Sequence, residues 1–374
     1  MKFKKLFLAV LIFALFGFTA NAYGEHGFSE CVEASGADKL SEYLNEETAE
    51  YMKKLGCDEL EFEKIMDISP LNVFKLIGEL IRNGFSAPLK GMLKAAGTVL
   101  LISVVSSFFP NDEKSRAVLN LVCGSFVVVT VMTDATAAVN SAAGAIKSCA
   151  AFEKALIPVL AAILTVSGSP LSAASVQGSA FAAAQIIENL AESFILPLTG
   201  ISTALNIAGA MLTGIRVSAI GEIIRKVLIT VFSASAGIFS GMLSLKAVLS
   251  SGADSLAVKG IKMASSTFVP IVGGALGDIY ISFASSVSLL KTTVGIYAVI
   301  ALFAIAIPVV INLAMWALSM RIASAVSDLL GCGQCSEILK SIGFLFSCVN
   351  TILILCVSVF IVTAGITVLI KNGG

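Results

Sequence analysis

Long uncharged runs alternate with short charged segments over most of this 374-residue chain. From Met92 onward the sequence is mainly apolar, and several runs reach or exceed the ~20 residues that one helix needs to cross a bilayer. The uncharged runs cover residues 95–110, 117–133, 155–187, 193–215, 227–245, 292–320 and 341–370. The pattern predicts an all-α fold, a polytopic transmembrane helical bundle.

The stretch before Met92 has the apolar spacing of ordinary amphipathic helices. Apolar residues recur every three or four positions over 40–55 and again over 73–81. Gly56 and Gly84 follow these two stripes and predict where each helix ends. Between residues 23 and 69 there are 13 acidic and 4 basic residues. We therefore predict a small, acidic, helical N-terminal head.

The second of these helices could also lie on the membrane surface, because its polar face carries charges of both signs. We place the head at residues 23–91 and the polytopic membrane domain at 92–374.

The first 22 residues have the layout of a signal peptide. Three lysines precede an apolar run over 6–19, and Ala20 and Ala22 supply the small side chains that a signal peptidase requires. The run is about 14 residues long, shorter than a transmembrane helix. We predict cleavage after Ala22, which leaves the head extracytoplasmic. An uncleaved first transmembrane helix is the alternative.

The membrane domain contains a weak internal repeat. A shift of 112 positions aligns "AIKSCAAFEKALIPVLAAIL" with "AVKGIKMASSTFVPIVGGAL" without a gap, so that Pro158 meets Pro270. Further matches divide the domain into repeats of about 113–221 and 222–336, followed by a final span over 341–370. Chance similarity in a chain rich in Ala, Gly and Ser is the alternative.

Each repeat contains two short apolar stretches joined by a turn. The first pair is 155–169 with 171–187, and the second is 263–277 with 279–290. Short apolar runs are typical of re-entrant segments, and interrupted segments at matching places in two repeats indicate a transport site. The candidate path-lining or hairpin residues are Pro158, Gly168, Pro170, Pro270, Gly273, Gly274, Gly277 and Asp278.

Six spans with two re-entrant hairpins and ten complete spans with kinked helices both fit this pattern, since proline and glycine are common in membrane helices. Each repeat makes an even number of membrane crossings in either case, so both models place the loops on the same sides of the membrane. With the head outside, segments 110–116, 216–226 and 321–340 are cytoplasmic and the C-terminal tail is outside. Lysine and arginine are equally divided between the two sides, so the positive-inside rule does not test this assignment.

Composition strengthens the membrane prediction. The chain is 57% apolar and 13% charged, with a mean hydropathy of +0.94, whereas soluble domains carry about 25% charged residues. Of the 50 charged residues, 29 lie within positions 1–116. The net charge of zero gives no indication of nucleic-acid binding.

The motifs of several enzyme classes are missing from the sequence. There is no Walker loop and no H-E-x-x-H pair, and His26 is the only histidine. We therefore predict no catalytic residue, metal or cofactor. The C-x-x-C at Cys332 and Cys335 has no second pair to complete a zinc site, so a loop with two thiols is favoured. Cys31 and Cys57 could pair as a disulfide in the head.

Four carboxylates lie within or beside the apolar runs, where an ionisable group is by default a functional candidate. Glu188 and Glu192 share one helix face and are expected at an outer interface, because they separate two apolar runs. Asp278 follows the predicted second turn, and Asp134 could mark a helix end.

The stretch "ADSLAVKGIKMASSTFVPIVGGALGD", residues 253–278, resembles the stage III sporulation protein AE family of endospore-forming bacteria. The resemblance implies a multi-pass protein of the mother-cell membrane around the forespore, within a channel complex that joins the two cells. It implies as partners other stage III sporulation A proteins, including an ATPase, and stage II sporulation protein Q. Membrane lipid surrounds such a protein, and small-x-x-x-small helix faces suit a homo-oligomer.

From this resemblance we expect the channel or export-gate component of that complex, a secretion-like machine. A stand-alone secondary transporter of small solutes and a non-conducting membrane scaffold are the alternatives.

Overall fold

The structure is a computed structural model that describes, besides single positions between 223 and 241, residues 28–66, 68–108, 113–211 and 273–369. Every regular element within these ranges is helical, which confirms the predicted all-α class. The signal-cleavage residues Ala20 and Ala22, together with Pro270, lie outside the described residues.

Ten α-helices make up the described fold. They are α1 (Phe28–Ser35), α2 (Glu46–Leu55), α3 (Phe62–Met66), α4 (Pro70–Gly84), α5 (Ser86–Ser106), α6 (Glu113–Val166), α7 (Pro170–Leu190), α8 (Leu196–Met211), α9 (Gly273–Leu329) and α10 (Gly333–Leu369). A short 3-10 helix (Ala37–Tyr43) precedes α2, and a π-helical turn (Ala191–Ile195) joins α7 to α8.

The head helices begin and end where the sequence carries capping residues. Asn45 accepts a hydrogen bond from the backbone N–H of Thr48 at 2.8 Å and so caps α2. Ser69 caps α4, whose first residue is Pro70. Proline suits this position because the first N–H of a helix has no partner within the helix.

Three turns share one geometry. At Gly56, Gly168 and Gly331 the backbone is left-handed, with φ of 81°, 79° and 75°. After Gly168, for example, the N–H of Ser169 donates to the carbonyl of Leu164 at 2.9 Å. This is the Schellman arrangement, which pairs the last carbonyls of a helix and requires the conformational freedom of glycine. The helix ends predicted at Gly56 and Gly84 are confirmed.

Five helical segments are long and apolar enough to cross a membrane, within the part of the chain that the structure describes. They are 70–106, 121–166, 170–209, 286–329 and 333–365. Helix α6 has 54 residues and α9 has 57, which at 1.5 Å per residue gives lengths of about 80 and 85 Å. Since the hydrocarbon core is about 30 Å thick, both helices extend well beyond it.

Helix α9 connects the head to the opposite end of the bundle. Tyr297 is buried near Cys57 and Asp58 of the head. Farther along, Trp316 packs directly against Gly91 of α5. Ser103, near the end of α5, donates to the carbonyl of Leu330 at 3.2 Å. Because the contacts of Gly91 with Trp316 and of Ser103 with Leu330 follow in the same order along both helices, α5 and α9 run parallel.

The C-terminal ends of α5 and α9 therefore lie at one end of the described bundle, because Ser103 and Leu330 are hydrogen-bonded there. That segments 110–116 and 321–340 lie on the same side of the membrane stays a prediction, since residues 109–112 lie outside the described ranges. Which side faces the cytoplasm stays a prediction.

The contact between α9 and α10 is the most extensive in the described fold. Trp316 stacks on Phe346 with ring centroids 5.5 Å apart and an angle of 26° between the planes. Gly343 allows close approach, since a Cβ at this position would lie 3.0 Å from Cβ of Met320. Small residues at such crossings let membrane helices pack closely.

One prediction about the hairpins is wrong. The turn predicted at Gly277 and Asp278 is absent, because the backbone is continuously helical over 273–329. Glycine costs a helix only about 1 kcal/mol relative to alanine, and no proline follows these glycines to stop it. At the first turn, by contrast, Pro170 follows Gly168 and begins the next helix.

The first hairpin has the predicted turn, and its arms are parts of longer helices; whether they re-enter or cross the membrane stays a prediction. The arm before the turn is the end of the 54-residue α6, and the other arm continues through α7 and α8 to Met211. A shift of 112 from Gly168 leads to Tyr280, which lies inside α9. The repeat itself stays a prediction, since most of residues 212–272 lie outside the described ranges.

Cys31 and Cys57 are free thiols, so the disulfide considered for the head is not formed. Cys57 is fully buried, and its Sγ lies 4.0 Å from the carbonyl oxygen of Leu55 on its own turn.

Candidate functional site

The predicted path-lining residues occupy different environments. Pro158 lies inside α6 and is exposed on the surface of the chain. Proline has no N–H, so the carbonyl of Lys154 loses its helical partner without the helix ending. Gly168 is half-buried in the turn, and Pro170 beside it is exposed.

The remaining members of that set belong to the second repeat. Gly273 is the first residue of α9, and Gly274, Gly277 and Asp278 lie in its first turns. The structure does not bring them into a second turn opposite Gly168. Whether any of these residues lines a path stays a prediction.

A group of four charged residues, here called the charged belt, joins α6 to the end of α7 and the π-helical turn that follows it. Its members are Lys147, Lys154, Glu188 and Glu192. Lys154 Nζ lies 2.5 Å from Glu188 Oε2, with 26% and 18% of the two side chains exposed. Lys147 Nζ lies 3.0 Å from Glu192 Oε1, and the Lys147 side chain is 61% exposed.

Helical spacing produces the belt. Lys147 and Lys154 are seven residues apart, close to two turns of helix, so they lie on one face of α6. Glu188 and Glu192 are four apart on the helix that returns after the Gly168 turn. Apolar stretches flank the belt on both helices, at 117–133 and 155–166 on one and at 171–187 and 193–209 on the other.

Glu153 is the most unusual ionisable residue of the described fold. Its side chain is 1% exposed, and neither carboxylate oxygen has a hydrogen-bond partner among the described residues. Cys149 lies one turn earlier on α6, near Cys356 of α10. Glu153 thus points into the bundle, whereas its neighbour Lys154 pairs outward with α7.

Burying a carboxylate without a hydrogen-bond donor is costly. In membrane proteins such groups are retained where they serve ion, proton or substrate paths. The belt and Glu153 therefore form the candidate site: one face of α6 carries a paired charge and the adjacent face a buried acid.

Sequence reasoning identified only part of this site. Glu188 and Glu192 were predicted to share a face, as they do, but their lysine partners on α6 were missed. Glu153 was also missed, although it interrupts an apolar stretch as clearly as Asp134 does. Asp134 marks no helix end, because α6 continues through it.

Cys332 and Cys335 lie at the turn between α9 and α10. Cys335 is buried and Cys332 is half-buried, with Cys123 of α6 close by. No cluster of metal-ligating side chains is found here or elsewhere in the described ranges.

The long apolar helices, the charged belt and the buried carboxylate define a polytopic, all-helical membrane protein with ionisable groups inside its bundle. The sequence comparisons narrow this class. The profile of the stage III sporulation protein AE family matches residues 60–372, and the chain belongs to that family.

A relative from Bacillus subtilis (strain 168), stage III sporulation protein AE, is 25% identical over 360 residues. That match covers 89% of this chain and 87% of the relative. The family resemblance seen in residues 253–278 is thereby confirmed. No solved structure matches the chain.

Proposed function

We propose that this chain is a multi-pass membrane subunit of the channel that joins mother cell and forespore, and that it forms the channel or export gate of that complex. Membership in a sporulation family supports the cellular process. The observation that carries the gate role is the buried Glu153 on α6. A scaffold has no use for a costly unpaired carboxylate in its core, whereas a path for ions or polar cargo does.

The same proposal assigns the energy source to a partner. The sequence contains no nucleotide-binding loop, so a partner ATPase among the other stage III sporulation A proteins would drive transport. The acidic head would contact these proteins or stage II sporulation protein Q in the space between the two membranes. Its position against α9 supports this, since a contact made there reaches a membrane helix directly.

Deletion of the gene in its spore-forming host tests the first part of the proposal. We expect engulfment to finish, late forespore gene expression to fail, and heat-resistant spores to drop by orders of magnitude. Normal spore yield in the deletion strain would contradict a role in the channel.

Two substitutions at one position test the gate role. Glu153→Gln keeps the shape and polarity of the side chain, and Glu153→Leu removes the polarity. We expect Glu153→Leu to co-purify with the complex at wild-type levels but to lower late forespore expression, with Glu153→Gln between it and the wild type. An assembled complex with normal forespore expression for both variants would favour a non-conducting scaffold.

Purified protein in liposomes discriminates the remaining alternative. A stand-alone secondary transporter takes up solute without any partner, whereas a gate subunit of a larger complex does not. Single cysteines placed at Gly168 and Gly277, in a variant whose eight native cysteines are replaced, add the location of water, because aqueous maleimide modifies them only where water reaches them.

A further inference from the structure

A cavity of about 300 Å³ lies between α9 and α10, separate from the charged belt and Glu153. Its lining includes the apolar residues Leu318, Ile354 and Leu355 and the polar residues Arg321, Ser347, Asn350 and Thr351. A mainly apolar lining with a few polar groups is the usual form of a small-molecule site.

The polar groups are incompletely satisfied. Arg321 donates to Ser347 Oγ at 3.3 Å, and no carboxylate lies within ion-pair distance of it in the part of the chain described. Asn350 is 6% exposed, and its side-chain oxygen has no hydrogen-bond donor among those residues. The cavity therefore presents a cation and a buried acceptor, which together suit an anion that also carries a hydroxyl group.

The Arg321 side chain is directed away from the turn that joins the two helices. Asp328 and Lys340 form an ion pair of 3.2 Å near that turn. Ser347 is seven residues beyond Lys340, about 10 Å farther from the turn at 1.5 Å per residue, and Arg321 donates to it. The guanidinium therefore lies along the lining of the cavity.

The cavity lies beside an exposed face of α9. Leu318 and Ile322 flank Arg321 on α9 and are 55% and 44% exposed, so this face of the helix lies on the outer surface of the described bundle. A ligand that reaches this face from the bilayer would bring an acyl chain for the apolar lining and an anionic group for the guanidinium.

We propose that the groove between α9 and α10 binds an anionic phospholipid with a hydroxylated headgroup, of the phosphatidylglycerol type. The phosphate accepts hydrogen bonds from Arg321, a headgroup hydroxyl donates to the Asn350 side-chain oxygen, and an acyl chain lies along Leu318 and Ile354. Basic pockets between membrane helices are known to recognise anionic headgroups. The occupied groove would hold α9 and α10 together at the level of Ser347.

The test uses the purified full chain in detergent, with lipid adducts counted by native mass spectrometry. We expect phosphatidylglycerol to bind the wild type about tenfold better than phosphatidylcholine. Arg321→Gln should lower the affinity for phosphatidylglycerol by about ten- to a hundredfold, the range for a lost charge-assisted hydrogen bond. Arg321→Lys should retain part of the affinity, because it keeps the charge but not the two-pronged geometry.

A matched control and a second variant keep the test decisive. Lys340→Gln removes one positive charge near the same end of the bundle but outside the cavity, and should leave lipid binding unchanged. Ala314→Leu fills the cavity without touching Arg321, and should abolish the preference for phosphatidylglycerol even if Arg321→Gln does not fold. Equal binding of the two lipids, or full phosphatidylglycerol binding by either cavity variant, would overturn the proposal. Displacement by millimolar glycerol phosphate would also overturn it, in favour of a site for soluble anions.

Discussion

Gly91 and Trp316 provide a sharp test of how α5 packs on α9. A Cβ at position 91 would lie 2.3 Å from Cζ3 and 2.4 Å from Cη2 of Trp316, whereas carbon atoms pack at about 3.5–4.0 Å. The indole must therefore move by more than an ångström. It is only 5% exposed and stacks on Phe346, so this movement disturbs a second packed ring.

The expected cost of Gly91→Ala follows from three contributions. Overpacking a core costs about 1–3 kcal/mol, and a weakened aromatic stack adds about 0.5–1.5 kcal/mol. The higher helix propensity of alanine returns about 1 kcal/mol. The net destabilisation is about 2 kcal/mol, a roughly 30-fold fall in the ratio of folded to unfolded protein.

Two other glycines calibrate the result. Gly97 lies on the same helix with nothing within 4 Å of its Cβ position, so Gly97→Ala should be neutral or mildly stabilising. At Gly84 the nearest atom, 2.9 Å away, is the flexible methyl end of Met315, so Gly84→Ala should cost little. Trp316 is the only tryptophan of the chain, and its fluorescence during thermal unfolding in detergent reports directly on this contact.

The midpoint temperature of unfolding should be highest for Gly97→Ala, lower for Gly84→Ala and clearly lowest for Gly91→Ala. Equal midpoints for the variants at 91 and 97 would show that α5 does not pack on Trp316 as described. The double variant Gly91→Ala with Trp316→Phe should recover part of the lost stability, because the smaller ring leaves room for the methyl group. Its unfolding is measured by the loss of secondary structure, since the tryptophan is no longer present.

Three further predictions concern the charged belt, the first turn and the head. Reversing one charge, as in Lys154→Glu or Glu188→Lys, should cost somewhat less than the roughly 3–5 kcal/mol of a fully buried pair, and the double reversal should restore most of the yield of folded protein; no recovery would mean that the pair does not form. Gly168→Ala should lower stability by about 1–2 kcal/mol, because φ is positive at this position. The control Gly178→Ala, at an exposed position of α7 with open space around its Cβ position, should not lower stability. Equal stabilities of the two variants would argue against the turn. Burial raises the pKa of Cys57 to about 12, so its thiol should resist maleimide at pH 8 until the head is unfolded, and rapid labelling of the folded protein would show that Cys57 is not in the core.

The features that were predictable from the sequence are the local ones. Gly56 and Gly168 end helices because the Schellman geometry depends on a few consecutive residues, and the long apolar runs identify membrane helices for the same reason. The turn expected at Gly277 fails because glycine permits a left-handed conformation without imposing one. In the sequence, only the proline that follows Gly168 distinguishes the turn at Gly168 from the continuous helix at Gly277.

The site depends on contacts between distant segments, and sequence alone could not supply them. The pairing of Lys154 with Glu188 requires α6 and α7 to pack in one particular register. The burial of Glu153 requires a third helix, since periodicity around a helix says which residues share a face but not what covers it. Only the spacing of Glu188 and Glu192, an internal property of one helix, could be predicted.

The length of α9 has a mechanical consequence. One unbroken helix contacts the head at Tyr297 and ends at Leu329 on the far side of the bundle, a distance of about 50 Å. No loop separates the two ends, although Pro308 between them lacks a backbone N–H and so removes one helical hydrogen bond. If the helix tilts as one body, a tilt of about 5° imposed at the head displaces the other end by about 4 Å. A partner that pulls on the head would thus move the loop at Gly331 without itself entering the membrane.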